Sequence, residues 1–144
     1  MQESAEDVSG LLGAWKLISA PVRMEDTGEV TEPLGPNPRG FAIFAPNGRM
    51  MVVLTAGGRA PPTSDAESAA LFNAMTAYTG RFEVHQNQVL FKIDAAWQPA
   101  WENTELLRFF ELEGDRLTLR TAVQEHPAAP GRKFRAVLTW VRDQ

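Results

Sequence analysis

Residues 104–122 have the sequence TELLRFFELEGDRLTLRTA, and this stretch decides the fold. Apolar residues recur at every second position on both sides of Gly114, which is the pattern of strands with one buried face. Glycine suits a tight turn because it adopts positive φ without steric cost. The stretch therefore predicts an antiparallel hairpin, with strands Thr104–Glu113 and Asp115–Ala122 on either side of the turn.

The same alternation, interrupted by turn residues, runs through most of the chain around that hairpin. Asn47-Gly48 and Gln86-Asn87 are two further tight-turn signals between apolar segments. Other strands are predicted over Gly13–Ala20, Gly40–Ala45, Met50–Thr55, Gly80–His85, Gln88–Ala95 and Phe134–Val141, with a short one near Val30. Because strands make up most of these segments, the predicted fold class is all-β. Because nearly every connection is short, strands that are consecutive in sequence are expected to be neighbours in the sheet. The predicted fold is a single antiparallel up-and-down β-barrel of about eight strands, whose interior holds side chains or one small ligand.

One segment between the strands favours a helix. Ser64 and Glu67 form a capping box, in which the two side chains satisfy free amides at the start of a helix. Apolar residues at helical spacing follow, so one short capping α-helix is predicted near residues 64–78. The strands flanking Asn47-Gly48 are apolar on both faces, and we expect this helix to cover their outer face.

Composition excludes several classes of function. The chain has 144 residues, enough for one domain, and a hydrophobic content of 44% that is typical of globular proteins. The net charge of −4 argues against nucleic acid as a partner, because phosphate binding needs a basic stripe. The absence of cysteine excludes disulfides, thiolate catalysis and cysteine-based zinc sites.

The same features lead to expectations about domains and location. We expect residues 1–9 to be a disordered N-terminal extension and residues 10–144 to be the barrel domain. The first ten residues carry three acids and no apolar core, unlike a signal peptide. The longest apolar stretches fall far short of the roughly 20 residues of a membrane helix, so no membrane partner is expected and the predicted location is cytoplasmic. The sequence is compatible with a homodimer.

Several segments, in order and at matching spacing, resemble one family. They are Gly13–Leu17, Gly35–Phe41, Tyr78–Phe82, Arg108–Leu119 and Leu138–Trp140. Together they resemble the bacterial and fungal lipocalin-like domain family, over the chain from about residue 10 onwards. The resemblance implies a barrel with a capping helix and a pocket. It also implies that Trp15 closes one end of the barrel and that Arg142 packs across it, but it transfers no catalytic residue.

The densest group of chemically useful side chains lies on two consecutive strands and the loop between them. It comprises Asp94, Trp97, Trp101, Glu105 and Arg108. In one interpretation the two tryptophans form an aromatic wall and the planar guanidinium of Arg108 holds a carboxylate or carbonyl of a ligand. In the other, the tryptophans plug one end and Arg108 pairs with Asp94 or Glu105 across the strands.

The position of Arg108 favours a site, because it shares a face with Leu106, Phe110 and Leu112. If that face points inward, Arg108 is a buried charge, which must either pair with an acidic side chain or contact a ligand. The residues predicted to contact the ligand are Arg108, Trp97, Trp101, Asp94, Tyr78, Phe41, Phe91 and Phe110. Phe41 and Ile43 are counted among the inward apolar positions of the barrel.

Metal and cofactor chemistry is not expected. His85 and His126 are the only histidines, both at predicted turns or loops, and neither has acidic residues at ligand spacing. No Gly-x-Ser-x-Gly motif is present to support a catalytic triad. The sequence therefore predicts no cofactor and no metal.

Three functions remain open at this point. The first is binding of a small, largely apolar molecule, with a carboxylate or carbonyl held by Arg108. The second is a cofactor-independent isomerase, cyclase or lyase, in which Arg108 stabilises an enolate or carboxylate and Asp94 moves a proton. The third is a filled barrel with a structural or partner-binding role. The sequence alone does not decide whether the protein is an enzyme.

Overall fold

The computed structural model describes residues 9–125 and 131–144 of the chain. The predicted N-terminal extension lies outside these residues except for Ser9, and His126 also lies outside them. The strands are β1 (Gly13–Ser19), β2 (Val22–Met24), β3 (Val30–Thr31), β4 (Arg39–Phe44), β5 (Arg49–Thr55), β6 (Met75–His85), β7 (Gln88–Ala96), β8 (Glu105–Glu113), β9 (Arg116–Thr121), β10 (Gln124–Glu125) and β11 (Lys133–Arg142). Helix α1 covers Asp65–Asn73, and a 3₁₀ turn covers Pro99–Trp101.

The long strands form a closed antiparallel barrel. Each of β1, β4, β5, β6, β7, β8, β9 and β11 pairs with the next, and β11 returns to β1, which closes a ring of 8 strands. At the closure Trp15 lies opposite Arg142 and Leu17 lies opposite Trp140. The predicted closed barrel is therefore confirmed. The short strand predicted near Val30 is present as β3, but it pairs with β2 outside this ring.

The predicted turns join their hairpins with the expected backbone. Gly48, between β4 and β5, has φ 91°, and Gly114, between β8 and β9, has φ 63°. Gln86 begins the two-residue turn between β6 and β7 with φ 60°. All three values lie in the left-handed region, which suits the twist of tight antiparallel hairpins.

A close backbone approach marks the pairing of β6 with β7. The register shifts between Thr79 and Gly80, where Gly80 faces Ile93. A Cβ atom on Gly80 would lie 2.7 Å from the carbonyl carbon of Lys92 and 2.9 Å from the Cα of Ile93. Glycine is thus required here for space between two strands, and its φ is not in the left-handed region.

One end of the barrel is closed by a tryptophan and an arginine. Trp15 is fully buried, and its Nε1 donates a hydrogen bond of 2.9 Å to the Leu11 carbonyl. The guanidinium of Arg142 lies 4.2 Å from the centroid of the Trp15 ring. Arg142 also donates to the carbonyls of Leu12 and Gly10, each at 2.9 Å. The roles that the resemblance implies for Trp15 and Arg142 match this geometry.

Helix α1 begins as predicted and ends earlier. The Ser64 side chain accepts from the amide of Glu67 at 3.1 Å, and the Glu67 carboxylate accepts from the amide of Thr63 at 2.7 Å. The helix ends at Asn73, so the prediction that it continues to residue 78 is wrong. Residues from Met75 onward pair with β5, and this long-range pairing outweighs their local helical spacing.

The expected cover on the outer face of β4 and β5 is also wrong. No residue of α1 is buried, and the helix lies at the open end of the barrel, where Asn73 lines the cavity described below. Phe41 and Ile43 point outward, with 43% and 48% of their surface exposed, while Ala42 and Phe44 point inward. The prediction that Phe41 and Ile43 face the interior is therefore wrong. Both faces of β4 are apolar, so hydrophobicity does not determine which face points inward.

Candidate functional site

A cavity of about 610 Å³ occupies the open half of the barrel, a volume typical of small-molecule sites. Its walls come from the inward positions of the barrel strands, from β2 and the β3 region, and from the segment after α1. The apolar residues among the wall are Ala20, Val22, Met24, Pro33, Leu34, Val52, Leu54, Ala74, Met75, Ala100, Trp101, Leu106, Leu119, Phe134, Ala136, Leu138 and Trp140. Most of this surface is therefore suited to hydrocarbon.

The charged residues of the cavity wall have one sign. Among the described residues that line it, Arg108 and Arg132 carry charge and none is acidic. Arg132 is about half exposed, and its Nε lies 3.2 Å from Oδ2 of Asp26, so its charge is already paired. Of the two charged residues described in the wall, Arg108 is therefore the one without an acidic partner among the described residues.

Arg108 is buried in the middle of β8, with 7% of its surface exposed. Its Nη1 donates to the Leu107 carbonyl at 3.2 Å, and the Tyr78 hydroxyl is near enough to the guanidinium to raise its pKa, against the larger effect of burial. Burial lowers the pKa of Arg108, but a guanidinium remains protonated in proteins. No carboxylate pairs with it within residues 9–124 and 131–144. The predicted pairing of Arg108 with Asp94 or Glu105 does not form.

Tyr78 lies near Arg108 on the same part of the barrel wall, because only β7 separates their strands β6 and β8. It lies on β6 and is 9% exposed. Burial raises the pKa of its phenol, so the hydroxyl keeps its proton at neutral pH. The ring stacks on Trp101 with centroids 5.6 Å apart and touches Phe91 at 6.2 Å. Tyr78 therefore presents a fixed hydroxyl donor beside the guanidinium.

The two tryptophans of the loop after β7 have different positions. Trp101 lines the cavity next to Tyr78. Trp97 packs edge-on against Trp101 at 5.2 Å and does not line the cavity. Its Nε1 instead donates to the Phe72 carbonyl at 2.9 Å, and its ring lies 6.3 Å from that of Phe72. Trp97 thus attaches α1 to the rim of the barrel.

The remaining predicted ligand contacts lie away from the cavity. Phe91 and Phe110 are buried in the core but are not part of the cavity wall. Phe41 is on the outer surface, and so is Asp94, which forms a two-pronged ion pair with Arg49 at 2.9 and 3.1 Å. Arg49 lowers the pKa of Asp94 through that hydrogen bond. Asp94 follows the inward residue Ile93, so strand alternation directs its side chain outward.

The sequence-based site missed the wall supplied by residues 20–34 and part of the wall near the C-terminus. Val22 and Met24 alternate with exposed Arg23, which is a strand signal inside a segment otherwise rich in proline, glycine and acids. On β11, Ala136 lies two positions from the inward residue Leu138 and could have been assigned to the interior by the same alternation. Gln124 and Arg132 flank residues 126–130 and carry no periodic signal.

Comparison with protein families places the chain in one of them. The model of the lipocalin-like domain family matches residues 12–143, so the chain belongs to that family. A comparison with functionally curated proteins found none that matches. Among solved structures, Rv2717c from M. tuberculosis is similar over 98% of both chains, with a TM-score of 0.48 and 13% sequence identity. The resemblance inferred from the sequence is thus confirmed by the family match.

The helices of the structure are short. Within the described residues, none has the length and apolar character that crossing a bilayer requires.

Proposed function

We propose that this protein binds a small, largely apolar molecule inside the barrel, with a carboxylate or carbonyl of that molecule directed at Arg108. The observation that carries the proposal is a cavity of about 610 Å³ whose mainly apolar wall includes one buried guanidinium that forms no ion pair with a carboxylate of the described residues. Apolar walls supply affinity through burial, and a few fixed polar groups supply orientation.

The two alternatives are less well supported. A filled barrel is expected to lack a cavity above a few water volumes, whereas the interior here is wide enough for a drug-sized molecule. The enzyme hypothesis used Asp94 to move a proton, and Asp94 lies on the outer face in an ion pair with Arg49. The described cavity wall offers no other carboxylate for that task. Binding is therefore the function we propose.

Filling the cavity is expected to abolish binding. Ala136 lines the cavity, so Ala136→Phe places a ring in the space that a ligand would use. We expect the unmodified protein to take up Nile red, an uncharged apolar dye, with saturable fluorescence enhancement. The Ala136→Phe variant is expected to lose at least about tenfold in affinity, which corresponds to about 1.4 kcal/mol.

Ala95→Phe is the matched control, because Ala95 lies on the exposed face of β7. It introduces the same ring without entering the barrel and is expected to leave dye affinity unchanged. Failure of the unmodified protein to bind any apolar dye, or equal binding by the Ala136→Phe variant, contradicts the proposal.

A further inference from the structure

We infer that the ligand is an ionised carboxylic acid with an apolar body, whose carboxylate is bound by Arg108 and Tyr78 inside the cavity. This inference rests on the proposed function and narrows it from a carboxylate or carbonyl compound to an anion. It also assigns the ligand an orientation, with the acid group inward and the apolar body toward the open end.

The first argument is the balance of charge. Among the described residues, the buried polar side chains are those of Arg108 and Thr121, and of these two Arg108 carries the charge. The arginines that do form ion pairs each lie within 4 Å of an acid and are more exposed than Arg108; they are Arg49, Arg120, Arg132, Arg135 and Arg142. A buried cation is costly unless an anion neutralises it. A carbonyl group carries no net charge, so a bound carboxylate completes the site where a carbonyl does not.

The second argument is the set of hydrogen-bond donors. One Nη1 hydrogen of Arg108 goes to the Leu107 carbonyl, which leaves the other guanidinium hydrogens for a ligand. A guanidinium fork matches the two oxygens of a carboxylate. The protonated hydroxyl of Tyr78 adds a further donor at the same place. One cation and one phenol suit a monoanion, whereas a doubly charged phosphate monoester would leave one charge unpaired.

The third argument is the position of these donors along the barrel. On β8 the cavity wall includes Leu106 and Arg108 but not the next inward residue, Phe110. On β6 it includes Thr76 and Tyr78 but not Gly80. Arg108 and Tyr78 are thus the innermost wall residues of their strands. The wall nearer the open end contains Leu54, Leu106 and other apolar side chains, which suits the hydrocarbon part of the ligand.

The test compares ligands that share one chain and differ in their head group. Dodecanoate, dodecan-1-ol and dodecylamine are titrated into the protein in competition with Nile red at neutral pH. We expect dodecanoate to bind at least about tenfold more tightly than the alcohol, and the amine to bind most weakly because Arg108 repels it. Equal affinity of acid and alcohol overturns the inference while leaving the proposed function intact. If neither Nile red nor any of the three dodecyl compounds binds, both the inference and the proposed function are wrong.

Arg108→Leu tests the assigned cation, and Arg49→Leu is its matched control on the outer surface. In the Arg108→Leu variant, dodecanoate affinity is expected to fall about 10- to 150-fold while dodecan-1-ol and Nile red affinities stay the same or rise. Retained dye binding shows that the variant is folded. The Arg49→Leu variant is expected to bind all three like the unmodified protein. An unchanged acid affinity in the Arg108→Leu variant removes Arg108 from the site.

A second readout reports the charge of the bound ligand directly. Dodecanoate labelled with ¹³C at the carboxyl carbon has a chemical shift that changes on protonation. Beside a guanidinium the carboxyl pKa is lowered, so the bound signal is expected not to titrate between about pH 7 and pH 4.5. In the Arg108→Leu variant the carboxyl is buried without a cation, and its pKa is expected to rise into this range. A bound carboxyl that titrates identically in both proteins contradicts the assigned contact.

Discussion

Replacing Trp15 with alanine is expected to lower the free energy of unfolding by about 3–5 kcal/mol, the range for truncating a buried aromatic residue. The indole is fully buried, and its removal leaves a void that the barrel end fills only partly. The substitution also removes the hydrogen bond to Leu11 and the ring under the guanidinium of Arg142. Urea denaturation followed by circular dichroism measures the loss.

Trp97→Ala is the appropriate control for Trp15→Ala. It removes the same side chain from a partly exposed position at the rim, where the hydrogen bond goes to the carbonyl of Phe72 in α1. Its loss is expected to be below about 2 kcal/mol, because less apolar surface is uncovered. If Trp15→Ala costs less than about 1 kcal/mol, Trp15 does not close the barrel end as assigned.

Gly80→Ala is expected to have the second-largest effect, a loss of about 3 kcal/mol at the upper end of what overpacking usually costs. The added Cβ meets backbone atoms of Lys92 and Ile93, which cannot move aside like the end of a flexible side chain. The strands β6 and β7 must separate locally, so pairing next to Tyr78 is disturbed as well. Chemical denaturation gives the change in stability, and Nile red titration shows whether the cavity is altered.

The control for Gly80→Ala is Gly58→Ala, in an exposed loop with nothing within 4 Å of the added Cβ. Gly58 has φ 67°, so this variant carries the cost of a left-handed backbone, about 1 kcal/mol, and no clash. A Gly80→Ala variant no less stable than the Gly58→Ala variant shows that the strands separate at little cost, which contradicts the steric argument.

The closed barrel can be predicted from the sequence because local signals determine each hairpin. The Asn47-Gly48, Gln86-Asn87 and Gly114 turns set which strands are neighbours, and one-sided alternation in β8 and β9 sets which face is buried. The same reasoning fails for β4, where Phe41 and Ala42 are both apolar. It also fails after Asn73, where helical spacing competes with pairing to β5, a contact distant in sequence.

The site is only partly predictable from the sequence for a similar reason. Alternation on β8 places Arg108 inward beside Leu106, and this part of the prediction is confirmed by its burial. The neighbouring strands group Asp94 with Arg108, but Asp94 follows the inward residue Ile93 and therefore points outward, whereas Arg108 points inward. The loop residues that complete the wall, such as Leu34 and Arg132, have no periodicity, so their position depends on how the barrel ends fold.

Because β11 closes the ring, the barrel cannot be completed until β11 has been synthesised. This strand pairs with β1, β2, β9 and β10, and Arg142 donates to the Leu12 carbonyl across 130 positions of sequence. During synthesis β1 leaves the ribosome long before β11, one of its two partner strands, does. The nascent chain therefore carries two unpaired sheet edges, on β1 and on β9, until the last strand is released. Each of these edges can pair with another nascent chain, so aggregation in this interval competes with ring closure.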